Sequence, residues 1–234
     1  MNIFAIGDLH LSFANPKPMN IFGELWNDHP EKIRTAWEAT VAPEDLVLIP
    51  GDISWAMQLE EAKQDLDYIA SLPGTKVMIR GNHDYWWSSI SKIRKSVDPS
   101  IHVLQNDSIT IGDVTIAGVR GWDCPGGYKF DEHDRKVYER EVVRLQMSLD
   151  HAMNQKARQL IVMLHYPPTN EKHHASGFLE MLTRYPVDKV VYGHLHGKEG
   201  HRHALEGVHH GIEFHLTACD YLNFAPLKLT SSKA

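Results

Sequence analysis

Seven side chains able to bind a metal ion stand at the ends of short apolar runs: Asp8, His10, Asp52, Asn82, His165, His194 and His196. Two carboxylates, one amide oxygen and four imidazoles suit Mn, Fe or Zn better than a thiolate-loving ion. Two such ions held close together can lower the pKa of a bound water toward neutrality and give an anionic group positive charge to sit against. His83 follows Asn82 directly and is placed to hand a proton to a leaving oxygen. Asp84 is the nearest acid able to orient that histidine.

Each piece alone has a bland reading. Asp8-Leu9-His10 is a common accident, and Gly51-Asp52 makes a plain turn. Asn82 or Asp84 suits a helix N-cap. His194 and His196 alternate along an extended chain, so they share one face, but surface histidines do the same. What they have in common is position, because each follows an apolar run of strand length.

Those runs are Asn2–Ile6, Leu46–Pro50, Lys76–Arg80, Leu160–Leu164 and Lys189–Tyr192, near-continuous in Val, Ile, Leu and Met. Such runs suit strands buried on both faces. In open α/β sheets the carboxyl ends of parallel strands gather at one edge, where sites form. Amphipathic spacing predicts helices over Leu59–Ile69, Tyr138–Ala152, Ser88–Val97 and Ala175–Thr183. Ile101–Leu104, Ser108–Ile111 and Val114–Val119 are close together and read as antiparallel neighbours; Val208–Gly211 and Glu213–Thr217 add two more strands. Strand–helix–strand units mixed with hairpins give an α/β (α+β mixed) chain with two mixed β-sheets packed as a sandwich and helices outside. Residues 1–229 read as one domain, Leu11–Pro30 as a long irregular loop, and 230–234 as a frayed tail.

Composition narrows the class. The chain has 234 residues and a formal net charge of −6, against a dedicated nucleic-acid binder. No apolar stretch approaches the roughly 18 residues of a membrane span. The short first run lacks the form of a signal peptide, so a cytoplasmic location is expected. Cys124 and Cys219 read as two free thiols. Ten of the 16 histidines lie at or after His165, a bias toward metal chemistry.

The order Asp-x-His, Gly-Asp, Gly-Asn-His-Asp, His, Gly-His-x-His resembles the calcineurin-like metallophosphoesterase superfamily, over residues 7 to 197. The resemblance implies that fold and a pair of divalent or trivalent ions. It implies Asp8, His10 and His196 on the first metal, Asn82, His165 and His194 on the second, and Asp52 bridging. It further implies His83 near the leaving group, and attack on a small phosphate mono- or diester by a hydroxide between the metals. One position departs. Protein Ser/Thr phosphatases of the superfamily carry an Asp three residues after the bridging one, then Arg-Gly. Here Trp55 stands there, which argues against the protein phosphatases and toward a bacterial-type phosphohydrolase, and leaves Asp84 as the nearest candidate for the missing acid that orients His83.

Three further expectations concern the surroundings. Arg120 and Trp122 follow the Val114–Val119 run and are candidates to grip a phosphate, or a surface loop. Trp55, Trp86 and Trp87 adjoin the ligand motifs as cleft wall or core. His201 or His203 borders the cleft. Two alternatives stand beside the hydrolase reading. One is an inactive scaffold of the same fold. The other is a metallo-β-lactamase-like hydrolase or nuclease, whose His-x-His-x-Asp-His run is missing.

Overall fold

The computed structural model describes residues 1–128 and 130–229. Lys129 and the tail expected to fray, 230–234, lie outside the described residues. Strands and helices are numbered along the chain. The first sheet contains β1 (Ile3–Ala5), β2 (Leu46–Ile49), β3 (Thr75–Met78), β4 (Ile101–Val103) and β11 (Leu227–Leu229). Its order is β11-β1-β2-β3-β4, parallel except for β11. The second contains β5 (Ser108–Ile111), β6 (Val114–Val119), β7 (Gln159–Leu164), β8 (Lys189–Tyr192), β9 (Gly207–His209) and β10 (Ile212–Leu216). Its order is β5-β6-β7-β8-β10-β9, with the two edge strands antiparallel to their neighbours.

Alternation along the strands builds three apolar layers. Ile3 and Ala5 of β1, Leu46 and Leu48 of β2, and Val77 of β3 face Ile116, Ile161, Met163 and Val191 of the second sheet. The intervening Phe4, Val47, Ile49 and Met78 pack outward against the helices α1 (His29–Thr40), α2 (Leu59–Ser71) and α3 (Ile90–Ser96). On the far side Ala117, Val162, Leu164 and Val190 pack against α4 (Glu132–Met153) and α5 (Gly177–Thr183). Burying each of these Val, Leu or Ile side chains is worth about 1.5–3 kcal/mol relative to exposure. The two-sided burial explains why the strand runs are apolar throughout. The expected sandwich of two mixed sheets flanked by helices is the fold observed.

Two helices start at caps their sequences supply. Asp131 accepts from the Asp134 N–H at the head of α4, and Asp134 returns the bond to the Asp131 N–H. Ser176 accepts from the Leu179 N–H at the head of α5.

Several elements differ from expectation. Ile101–Leu104 is not the antiparallel neighbour of Ser108–Ile111. β4 pairs parallel with β3, and its Ile101 and Val103 pack in the outer layer with Ile93 of α3, so the chain crosses between sheets after β4. The Leu11–Pro30 segment holds two short 3-10 turns, Met19–Phe22 and Glu24–Trp26, and leads into α1, which the sequence reading missed. β11 was also missed, although it closes the first sheet beside β1. Cys124 and Cys219 are free and buried. Among the described residues no helix is long and apolar enough to cross a membrane.

Candidate metal centre

The loops after β1 and β2 are zipped together. Asp8 N–H donates to Gly51 O at 2.9 Å, His10 N–H to Asp52 O at 3.0 Å, and Leu11 N–H to Ile53 O at 3.0 Å. That pairing turns Asp8, His10 and Asp52 inward, at a backbone cost. Asp8, His10, Asp52 and His194 all have left-handed φ, at 56°, 46°, 49° and 71°. Non-glycine residues avoid this region, and such strain concentrates at functional sites. Two glycines make room. A Cβ on Gly81 would overlap the Asp52 carboxylate, and one on Gly193 would overlap that of Asp8.

The seven sequence-derived candidates converge. Asp8, His10 and His196 bring ligand atoms within 4.8 Å of one another, and so do Asp8, Asp52 and His165. Asn82 Oδ1 completes the second group, 2.7 Å from His165 Nε2 and 2.9 Å from His194 Nδ1. Asp52 stands between the groups, with Oδ2 3.8 Å from His10 Nε2 and Oδ1 3.5 Å from His165 Nε2.

Protonation differs among the candidate ligands. Burial lowers His165 and His194 to about 3, and burial and the charge on His196 lower His10 well below its usual value. These three imidazoles are neutral and can ligate. Burial, then the neighbouring Asp8 and Asp84 carboxylates, raise Asp52 well above the usual range. Burial pulls His196 down, but Asp220 and Asp8 outweigh it and raise it to about 10. His165 carries the sharpest mismatch. Its Nδ1 lies 3.0 Å from Pro50 O and its Nε2 2.7 Å from Asn82 Oδ1. A neutral imidazole donates only once, so one of these contacts sets two acceptors face to face. A cation between His165 and Asn82 removes the conflict, so the donor set fits a metal.

His83 and Asp84 play different parts. The His83 N–H donates to Asp52 Oδ1 at 2.8 Å, which fixes the ring beside the cluster. Trp55 packs on that ring at 4.4 Å between centroids and stacks on His10 at 4.9 Å. So the residue in place of the phosphatase acid positions two site histidines by packing. Asp84 does not face the His83 ring. Its oxygens accept from the N–H groups of Ile53, Ser54 and Gly81 and from Trp86 Nε1, at 2.7–3.1 Å, bracing the β2 and β3 loops together.

The Arg120 carbonyl accepts from the His165 N–H at 3.0 Å, so the Arg120 backbone adjoins the cluster, while the Arg120 and Trp122 side chains pack on each other. The Arg120 guanidinium sits over the Trp122 ring at 4.5 Å, near Glu141 at 3.7 Å, and lines a smaller cavity with Arg80 and Arg144. Trp86 is buried, with Nε1 on Asp84; Trp87 is also buried, with Nε1 on Gln105. A cavity of about 540 Å³ opens beside the cluster, floored by His10, His83 and His196, with His201 at its edge. His203 lines a different cavity, beside His194 and Leu195.

The sequence reading missed Asp220. Its Oδ1 accepts from His196 Nδ1 at 2.9 Å, which points Nε2 at the cluster, and its Oδ2 accepts from the Gly197 N–H at 2.9 Å. The signal differs from the others: β10 alternates apolar and polar residues, Ile212-Glu213-Phe214-His215-Leu216, so no unbroken apolar run points to the carboxylate that follows it.

A family model for the calcineurin-like phosphoesterases matches residues 1–198. The chain belongs to that family. Phosphoesterases of this kind use divalent metals, in keeping with the two ligand groups above. Membership sets aside the metallo-β-lactamase-like alternative. No curated protein sequence matches this phosphoesterase. Solved structures share its fold, and two of them illustrate it. One is a phosphopantetheinyl hydrolase from Mycobacterium tuberculosis, at 13% identity and a TM-score of 0.58, covering 99% of this chain and 96% of that one. The other is a protein of unknown function from Aquifex aeolicus, at 17% identity and a TM-score of 0.53, covering 97% of this chain and 95% of that one.

Proposed function

We propose that this phosphoesterase hydrolyses a small phosphate mono- or diester at a pair of metal ions, with Mn, Fe or Zn the fitting elements. Asp8, His10 and His196 would hold one ion, Asn82, His165 and His194 the other, and Asp52 both. The observation that carries the reading is the place of Asp52, whose two oxygens address imidazoles of different groups. A metal pair, when bound, supplies the Lewis acidity that activates water and polarises the phosphoryl oxygens.

The chain's own residues do the rest. Asp220 and the Pro50 carbonyl fix which ring nitrogens of His196 and His165 face inward. Trp55 holds His83 on the floor of the cleft, where the leaving oxygen would emerge. Burial, then the charge on His196, lowers the His83 pKa. An anionic phosphate facing the ring opposes that shift and favours the protonated form that donates. Asp84 acts through the loops it braces. An inactive scaffold would have no need of eight intact positions or of four strained backbone residues. The test is hydrolysis of p-nitrophenyl phosphate and bis(p-nitrophenyl) phosphate across added Mn, Fe and Zn. Metal-dependent release of nitrophenol is expected. No release with any metal would leave the scaffold reading.

A further inference from the structure

The cleft beside the cluster has two unlike ends. Its floor is the imidazole face of His10, His83 and His196. Its wall is apolar, made by Met19, Phe22 and Leu25 of the 3-10 turns together with Trp26 and Trp55. The indole N–H of Trp55 already donates to Met19 Sδ at 3.2 Å, so it offers nothing to a polar ligand. Trp26 joins the two ends. Its ring is buried, with its centroid 6.0 Å from that of His10 and 5.9 Å from that of His196. Polar groups are present at the edge, in Lys198, His201, Asp220, Tyr221 and Asn223, but Asp220 is held by His196 and Gly197 and the Tyr221 hydroxyl by Glu206.

Phe22 and Leu25 are 63% and 46% exposed. They flank Gly23, where the backbone takes φ 124° and the two turns join. Large apolar side chains left open at the rim of a cleft mark a surface that something covers. The volume of about 540 Å³ falls in the range that takes in most of a small ligand. A sugar or nucleotide would need hydrogen-bonding groups along its length, and this wall has few to give.

From this we infer that the substrate's ester alcohol carries an apolar alkyl or aryl arm, which lies along Met19, Phe22, Leu25 and Trp26 while the phosphate meets the metal cluster. The inference rests on the phosphoesterase reading above and names the class of ester. Continuity decides it, because the same His83 that would face the leaving oxygen forms the floor from which the wall rises. Sugar phosphates of equal reactivity are then poor substrates.

The experiment compares n-alkyl phosphates from ethyl to hexyl, as monoesters and as methyl diesters, with glycerol phosphate as the polar comparator. The alkanol leaving groups are of nearly equal basicity, so chemistry is held constant while apolar length changes. Metal-loaded full-length protein is used, and alcohol release is measured. Each methylene that enters the cleft should raise kcat/KM by about 3- to 4-fold, so hexyl over ethyl phosphate should reach roughly 100-fold. Phe22→Ser and Leu25→Ser alter exposed residues and should each cut the hexyl-to-ethyl ratio by about ten-fold. Val208→Ser, exposed on β9 and outside the cleft, should keep the ratio. A flat series, a preference for glycerol phosphate, or a ratio indifferent to Phe22 and Leu25 overturns the inference and leaves the phosphoesterase reading standing. Failure to cleave any ester with any metal overturns that reading, and this inference with it.

Discussion

His10 and His196 meet Nε2 to Nε2 at 3.3 Å. His10 is neutral and His196, raised to about 10, is charged, so the proton on His196 points at the His10 lone pair. It stands where the first metal would. Metal uptake must remove that proton, and the one favoured on Asp52 by its raised pKa. His165 and His194, already neutral, release none. Affinity for Mn²⁺ should therefore rise with pH from below neutrality toward about pH 10, the value to which His196 is raised. Calorimetry at pH 7 in two buffers of different ionisation heat should detect protons released. Asp220→Asn removes one carboxylate that holds His196 charged and should lessen the release. Uptake without proton release would take His196 off the ligand set.

Asp52 addresses both ligand groups, so its loss should cost both ions. Asp52→Ala should nearly abolish turnover and lower bound metal toward zero, and His165→Ala should remove one ion and most activity. Elemental analysis beside the ester assay checks both. Full activity in a metal-poor Asp52→Ala protein would sink the two-metal reading.

His83 touches the cluster through its backbone and faces the cleft with its ring. His83→Ala should keep the metals and slow turnover by roughly 10²–10⁴-fold, the range of general acid catalysis. The loss should be larger for alkyl than for p-nitrophenyl esters, because nitrophenolate leaves without help. Equal losses on both would remove the proton-donor role.

Gly193→Ala places a methyl group in the Asp8 carboxylate. The carboxylate or the loop must shift, at a cost of about 1–3 kcal/mol. Metal affinity and kcat/KM should both fall by about 5- to 150-fold, while circular dichroism shows the fold kept. Wild-type metal content in this variant would mean that Asp8 is not a ligand.

Asp84 accepts four N–H bonds while fully buried. Asp84→Asn turns an acceptor oxygen into an NH₂ group facing a donor. It should destabilise the protein by about 1.5–3 kcal/mol, the value of hydrogen bonds to a charged group, lowering the urea midpoint. The pH profile of the remaining activity should keep its shape. A displaced profile would put Asp84 in the chemistry instead of the scaffold.

How much of this was legible depended on whether the signal was local. A strand buried on both faces writes itself as an unbroken apolar run, and the residue after it is the one that reaches the site. That rule finds Asp8, Asp52, Asn82, His165 and His194 from sequence. It does not find β11, whose three residues bury little but Leu229, or α1, whose buried face is only His29, Ile33 and Trp37. Nor can it tell a hairpin from a crossing between sheets, because β4 and β5 look alike until their partners are known. The part played by Trp55 was hidden for a related reason. Its type argued against one branch of the superfamily, but only packing shows it holding His10 and His83.

Asp8, His10, Asp52 and His194 hold their side chains in place at the expense of backbone comfort. At about 1–2 kcal/mol for each left-handed residue, the four together draw on a sizeable part of the 5–15 kcal/mol that keeps a domain folded. Thermostability and turnover therefore pull in opposite directions at these four positions. A screen for heat-resistant variants, run without regard to catalysis, would be drawn to glycine at each of them and would return a sturdier protein with an empty centre.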